Sequence, residues 1–151
     1  MHGKIWAAGL MSAFAVCGVA RAAEVQDCNG AESPTNIVEP WDKNTRTFYK
    51  GEVRVALIDT GGEPACCSAQ LLVIAPDPND ESGERSCHLV VNKGGVGFGD
   101  IQFDKLTASY DAKKGLLIAF PYSETGLDGK TKAVGTAHVR VNVSNGKVTA
   151  E

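Results

Sequence analysis

Residues 137–150 read AHVRVNVSNGKVTA, and this stretch decides the fold class of the chain. From Ala137 to Val143, apolar and polar side chains alternate with a period of two, which is typical of a strand with one buried face. The dipeptide Asn145-Gly146 follows, and it favours the two-residue turn of a β-hairpin. The sequence therefore predicts an antiparallel hairpin in which residues 147–150 form the returning strand.

Working outward from this hairpin, the same strand signals recur along the chain. They lie at residues 45–58, 71–75, 87–91, 96–103 and 116–120. No window shows a convincing helical period, and polar turns separate the apolar runs. Residues 41–151 are thus predicted to form a single all-β domain, an antiparallel sandwich or small barrel of about seven to nine strands.

The apolar positions of these segments are numerous enough for a filled interior. We expect a packed core rather than a ligand cavity. The positions assigned to it are Leu57, Val73, Leu89, Ile101, Phe103, Leu117, Val139 and Val141. Trp41 is expected to close one end of this core.

The N-terminus has the layout of a secretory signal peptide. Lys4 precedes an uncharged apolar stretch that ends in Ala20-Arg21-Ala22, with small residues at the two positions that a signal peptidase reads. We expect residues 1–22 to be removed and the domain to be periplasmic or secreted, in a bacterial envelope. A retained anchor and a lipoprotein modified at Cys17 are the alternatives. No membrane span is expected after cleavage.

Residues 23–40 are polar and rich in turn formers, so they are predicted to be an extended arm rather than a regular element. Without Lys4 and Arg21, 13 basic residues face 18 acidic ones, and the exported chain is mildly acidic. This balance gives no electrostatic basis for binding nucleic acid, which depends on clustered Lys and Arg. No cofactor is predicted, and the oligomeric state is left open.

Four cysteines follow the leader, namely Cys28, Cys66, Cys67 and Cys87. An even number in an exported chain predicts two disulfides. A bridge between the neighbours Cys66 and Cys67 needs a strained ring, so each is expected to pair with Cys28 or with Cys87, in an order left open. Adjacent side chains on a strand diverge, which argues against a shared metal ion, and no metal site is predicted.

Candidate catalytic patterns are weak. The glycines around residues 94–99 lack the third glycine of a dinucleotide loop, and they are expected to mark a flexible strand edge or bulge. Only His88 and His138 follow the leader, without a nucleophile motif near them. The chain is therefore expected to have no catalytic residues and not to be an enzyme, with a hydrolase of unrecognised site as the remote alternative.

A non-enzymatic binding module is the leading functional expectation. Its partner is expected to be a protein of the envelope, engaged through loops that the sheet holds rigid, a format shared by analogy with small inhibitors and immunity proteins. Two loops are candidates, residues 76–84 and 122–132. Their candidate binding residues are Asp77, Asp80, Glu81, Glu84, Tyr122, Glu124 and Asp128, with Tyr122 as the anchor. A carrier of a small apolar ligand, with a barrel cavity, is the alternative.

Overall fold

The computed structural model of the protein describes residues 22–62, 66–126 and 128–151, so all but the last residue of the expected leader lies outside the described residues. The strands are β1 (Ala23–Asp27), β2 (Thr45–Phe48), β3 (Val53–Asp59), β4 (Ala69–Pro76), β5 (Arg85–Asn92), β6 (Asp100–Ile101), β7 (Thr107–Asp111), β8 (Gly115–Thr125), β9 (Thr131–Asn142) and β10 (Lys147–Ala150). One short helix, α1 (Trp41–Asn44), precedes β2. No helix within the described ranges is long and apolar enough to cross a membrane.

The strands form two five-stranded antiparallel sheets. The first has the order β1-β5-β4-β3-β2, and in the second β10, β9 and β8 are neighbours while β6 and β7 pair with β8. The all-β prediction is confirmed. The described ranges hold ten strands, more than expected, because β1 lies in the predicted arm and the turn Tyr49–Gly51 divides the predicted strand 45–58 into β2 and β3. The predicted strand 96–103 is reduced to the two-residue β6.

The predicted hairpin at the C-terminus is present, but its register differs from that of a two-residue turn. Lys147 pairs with Asn142 and Val148 with Val141, so the connection is the four-residue turn 143–146, which contains Asn145-Gly146. Val139 and Val141 are fully buried, whereas His138 and Arg140 lie on the other face and are only partly buried. One buried face and one solvated face produce the alternation that the sequence shows.

A single core lies between the sheets and draws side chains from both. Its largest fully buried members include Phe98, Phe120 and Ile118, and the Phe98 and Phe120 rings meet edge to face at 5.7 Å between centroids. Such a geometry is favoured by the ring quadrupoles. Most of the predicted core positions are buried here. The prediction for Leu117 is wrong, because this residue pairs with Arg140 and faces outward.

A second apolar cluster covers the outer face of the first sheet. Ile58, Leu89 and Val91 are buried there beneath Ala31 and Ile37 of the N-terminal segment. The segment 23–40 is therefore more regular than the predicted arm. It begins with strand β1, which pairs with β5, and only its later part crosses the sheet. Leu89 is buried as predicted, but in this outer cluster.

The disulfide pairing differs from the expected one. Cys28 pairs with Cys87, and the neighbours Cys66 and Cys67 pair with each other. The reason lies in the register of β1 and β5: Asp27 is opposite His88, so Cys28 comes directly opposite Cys87, and its N–H donates to the Cys87 carbonyl. This disulfide fastens the N-terminal segment to the outer face of the sheet.

Trp41 does not close the core. It begins α1 and is 49 % exposed, because the interior is already filled by the phenylalanines of the second sheet and its connections. The expectation for Trp41 was wrong, and the residue is instead one of the large exposed hydrophobic side chains of the molecule.

Candidate functional site: a tyrosine groove at one loop end

Four connections converge at one end of the two sheets. They are the 3-10 turn Tyr49–Gly51 between β2 and β3, the β4–β5 loop, the β7–β8 turn and the β9–β10 turn. The last of these packs on the β4–β5 loop, since a Cβ atom at Gly146 would lie 3.0 Å from Pro78 Cδ. We call this region the tyrosine end, because two tyrosines dominate it.

Tyr49 and Tyr110 form an exposed aromatic pair. Their ring centroids are 5.6 Å apart, and the side chains are 44 % and 57 % exposed. Partial desolvation raises the pKa of Tyr110 above its ordinary value, and the neighbouring Tyr49 and Asp111 add to this effect. Tyrosine is enriched in interaction hot spots, because its ring offers an apolar face and its hydroxyl group can form a hydrogen bond. The exposed Tyr49–Tyr110 pair has this composition.

A groove of about 350 Å³, which we call the tyrosine groove, runs beside this pair between the two sheets. Its walls combine aromatic rings, a proline and polar groups of four different connections. The lining residues include Tyr49, Tyr110, Glu52, Pro76, Lys113 and Asn142. Because each sheet contributes part of the wall, the shape of the groove is set by how the two sheets pack.

The backbone that presents Tyr49 is strained. Tyr49 has φ 51° and Lys50 has φ 58°, both in the left-handed region, and Gly51 follows with φ 87°. A bulky residue rarely adopts this conformation, and each such residue costs about 1–3 kcal/mol. Glu52 fixes the end of the turn, since Arg85 of β5 pairs with its carboxylate at 3.0 Å and donates to its carbonyl. Local strain held by surrounding structure is common at functional sites.

The acidic β4–β5 loop borders this end, and two of its four carboxylates are occupied by their own loop. Asp77 Oδ1 accepts from the Asn79 N–H, and Asp80 Oδ1 accepts from both the N–H and the hydroxyl of Ser82. The Ser82 hydroxyl, and then its N–H, hold the pKa of Asp80 below its usual range. Glu81 and Glu84 are exposed without such contacts inside the described loop.

The other candidate loop lies at the opposite end. Antiparallel β8 runs from the tyrosine end to Thr125, so Glu124 and Asp128 are exposed far from the acidic loop. Tyr122 is 5 % exposed and packs on Phe98 with ring centroids 4.9 Å apart. Its ring therefore belongs to the core rather than to a surface anchor, and the structure does not bring the two predicted loops together.

Sequence reasoning missed Tyr49 and Tyr110. Tyr110 shares a face with core positions of its sheet, as its pairing with Leu116 shows, so its period predicts burial. The sequence around Tyr49 does contain a signal. Tyr49 is followed by Lys50-Gly51, directly before strand β3, and a glycine at this place favours a turn in which the large side chain is exposed.

The two histidines lie on different sheets and do not converge. On β5, His88 Nδ1 lies 3.4 Å from Asp27 Oδ1. The buried Nε2 of His88 has no hydrogen-bond partner among the described residues. His138 lies on β9, opposite Ala119 of β8. In the described part of the chain no three His, Cys, Asp or Glu side chains form a group suited to a metal ion.

Comparisons with known proteins give no family, because no family model, no curated protein and no solved structure matches the chain.

Proposed function

We propose that this protein is an exported, non-enzymatic binding module that engages a protein partner of the bacterial envelope through the tyrosine groove. The observation that carries the proposal is the exposed Tyr49–Tyr110 pair, presented on a strained turn beside a groove with polar walls. Few residues carry most of the binding energy of an interface, and tyrosine is prominent among them. A rigid scaffold under variable loops is the common way to present such residues.

The covalent chemistry supports the proposed compartment. The Cys28–Cys87 disulfide indicates an oxidising environment outside the cytoplasm. Export through removal of residues 1–22 is part of the proposal, and the leader pattern described above supports it. We also propose a sandwich rather than a closed barrel, because the two sheets share one core and have separate strand orders.

A carrier of a small apolar ligand is less consistent with the interior. Phe98, Phe120 and Ile118 are fully buried and fill the space between the sheets in which a barrel carrier holds its ligand. The groove beside Tyr49 and Tyr110 is an open cleft with polar groups in its walls. The groove that best resembles a recognition site is at the surface, where a protein can reach it.

The test is an affinity capture with matched variants. The exported protein is immobilised, an envelope extract is passed over it, and the retained proteins and lipids are quantified by mass spectrometry. We expect a stoichiometric protein with the wild type. Tyr110→Ala should weaken its binding roughly 30-fold, the usual cost of losing a tyrosine hot spot. Val134→Ala, a change at a side chain that is 48 % exposed on β9, is the matched control and should bind normally.

Two outcomes would overturn the proposal. One is a retained lipid or other apolar molecule in place of a protein, which would favour the carrier. The other is a protein that the wild type and Tyr110→Ala retain equally, which would place recognition away from the groove.

A further inference from the structure

The surface that continues from the tyrosine groove is formed by two chain segments that run side by side. Residues 41–51 and 103–114 are joined where Arg46 donates to the carbonyls of Leu106 and Asp104 and lies over the Phe103 ring at 5.3 Å. The Tyr49–Tyr110 contact joins them again at the groove. We call these two segments the aromatic strip. It carries Trp41, Tyr49 and Tyr110, all three substantially exposed.

The strip is basic although the chain as a whole is acidic. Its sequence holds six cations against three acids, whereas the full chain has a formal charge of −3. The cations are Lys43, Arg46, Lys50, Lys105, Lys113 and Lys114, and the acids are Asp42, Asp104 and Asp111. The ion pairs of the described residues involve Arg85, His88 and Arg140, so none of the strip's cations is used in one. Arg46 and Lys105 donate hydrogen bonds to acceptors within the protein, and the other four cations remain available to a partner.

One strip acid is held by its own turn. Asp111 Oδ1 accepts from the N–H groups of Lys114 and Lys113, each at 2.8 Å. These backbone hydrogen bonds hold the pKa of Asp111 below its usual range. Asp111 therefore stays ionised at neutral pH, and the two cations Lys113 and Lys114 outnumber it at the surface around Tyr110.

The strip also contains an open sheet edge. Within the described residues β7 pairs with β8 alone, and all five of its residues are exposed. Ala108 and Tyr110 share their face with the core residues Ile118 and Leu116, yet the first sheet ends at β2 and leaves them uncovered. β7 contains no proline, no lysine and no bulge, and its one charged residue, Asp111, lies at its end. An extended segment can add to such an edge through backbone hydrogen bonds.

We infer that the partner presents an extended acidic segment that adds as a strand to β7, with its carboxylates on the strip's lysines and its apolar side chains on Tyr49 and Tyr110. Three independent observations select this occupant: the free strand edge, the exposed aromatic side chains and the excess of unpaired cations. The inference rests on the proposed function, because it names the partner chemistry of the same surface. A basic segment is disfavoured by repulsion, and a second copy of the chain would bring the lysines of two strips together.

The experiment is site-specific photo-crosslinking of the full chain in the cells that produce it. Ser109 of β7 is replaced by p-benzoylphenylalanine, and the same probe is placed at Glu81 of the acidic loop and at Val134 of β9. After irradiation, the attached peptide is sequenced by mass spectrometry. From position 109 we expect one protein, attached through a peptide of net negative charge.

A charge-reversal variant tests the electrostatic part. Lys113→Glu with Lys114→Glu should lower the crosslinking yield from position 109 about tenfold, the sum of several exposed charge contacts. Lys93→Glu changes an exposed lysine of the β5–β6 loop at the opposite end, and it should leave the yield unchanged.

The outcomes separate this inference from the proposed function. A neutral or basic peptide, a second copy of the chain, a lipid or glycan adduct, or a yield indifferent to charge reversal at position 109 overturns the inference. A protein attached from position 81 or 134, with nothing from position 109, overturns the inference and leaves a protein-binding function standing. No protein attached from any position overturns both.

Discussion

Replacing the Cys28–Cys87 disulfide by two serines should destabilise the domain by several kcal/mol. The bridge spans a sequence separation of 59 residues. In the chain-entropy treatment of crosslinks, closing a loop of this length lowers the conformational entropy of the unfolded chain. The folded state is thereby stabilised by about 4 kcal/mol at 25 °C. Both sulfurs also pack on the outer apolar cluster, so the N-terminal segment that covers Leu89 loses its covalent fastening. For a domain of this size we expect the melting temperature to fall by roughly 10–15 °C.

The assay is urea unfolding of the wild type and the double serine variant, followed by intrinsic fluorescence and circular dichroism. The second disulfide supplies a matched control in the same molecule. Because Cys66 and Cys67 are adjacent, their bridge closes almost no loop, and replacing both by serine should cost less than about 1 kcal/mol. Equal losses from the two double variants, or a loss below about 1 kcal/mol for Cys28 and Cys87, would refute the reasoning.

Three further changes test the packing and the electrostatics. Phe120→Ala removes a fully buried ring from the contact with Phe98 and should cost about 3–5 kcal/mol in urea unfolding. Gly97→Ala places a Cβ atom 2.1 Å from the Cys67 carbonyl oxygen, so it should cost about 3 kcal/mol or more, whereas a site with open space would lose only about 1 kcal/mol. Glu151 is bound by two Arg140 hydrogen bonds of 2.9 Å that lower its pKa, so its stabilisation is present above its unfolded-state pKa and is lost as pH falls through the lowered value. Glu151→Gln should therefore be less stable than wild type at pH 7, by less than about 1 kcal/mol given the exposure of the pair, and equal to it at pH 2 in thermal unfolding.

Much of the fold is predictable because local periodicity and turn chemistry agree with the final packing. Val139 and Val141 face the core as their alternation predicts, and Asn145-Gly146 closes the hairpin. Edge elements are harder to predict. β1 has only one neighbour and a partly buried pattern, so its polar sequence gives no strand signal until β5 is known to lie beside it.

The candidate site was less predictable, since its features depend on long-range placement. The position of Tyr122 beside a loop suggests an anchor. Its ring instead packs on Phe98, which lies in a connection more than twenty residues earlier in the sequence. Tyr110 has the period of a core residue and is exposed only because the first sheet ends at β2. The disulfide pairing depends on register in the same way, because Cys28 meets Cys87 only through the β1–β5 ladder.

The position of β1 in the first sheet has a consequence for how the chain is assembled. β1 leads the described chain, yet its partner β5 begins only at Arg85, so about sixty residues must be synthesised before this strand can pair. Until β5 is made, the N-terminal segment that carries Cys28 and Ala31 has neither its strand partner nor the Leu89 and Val91 side chains that it covers. The incomplete chain therefore exposes apolar side chains, and a chaperone or thiol oxidase that acts before β1 pairs with β5 should raise the yield more than any factor acting on the finished molecule.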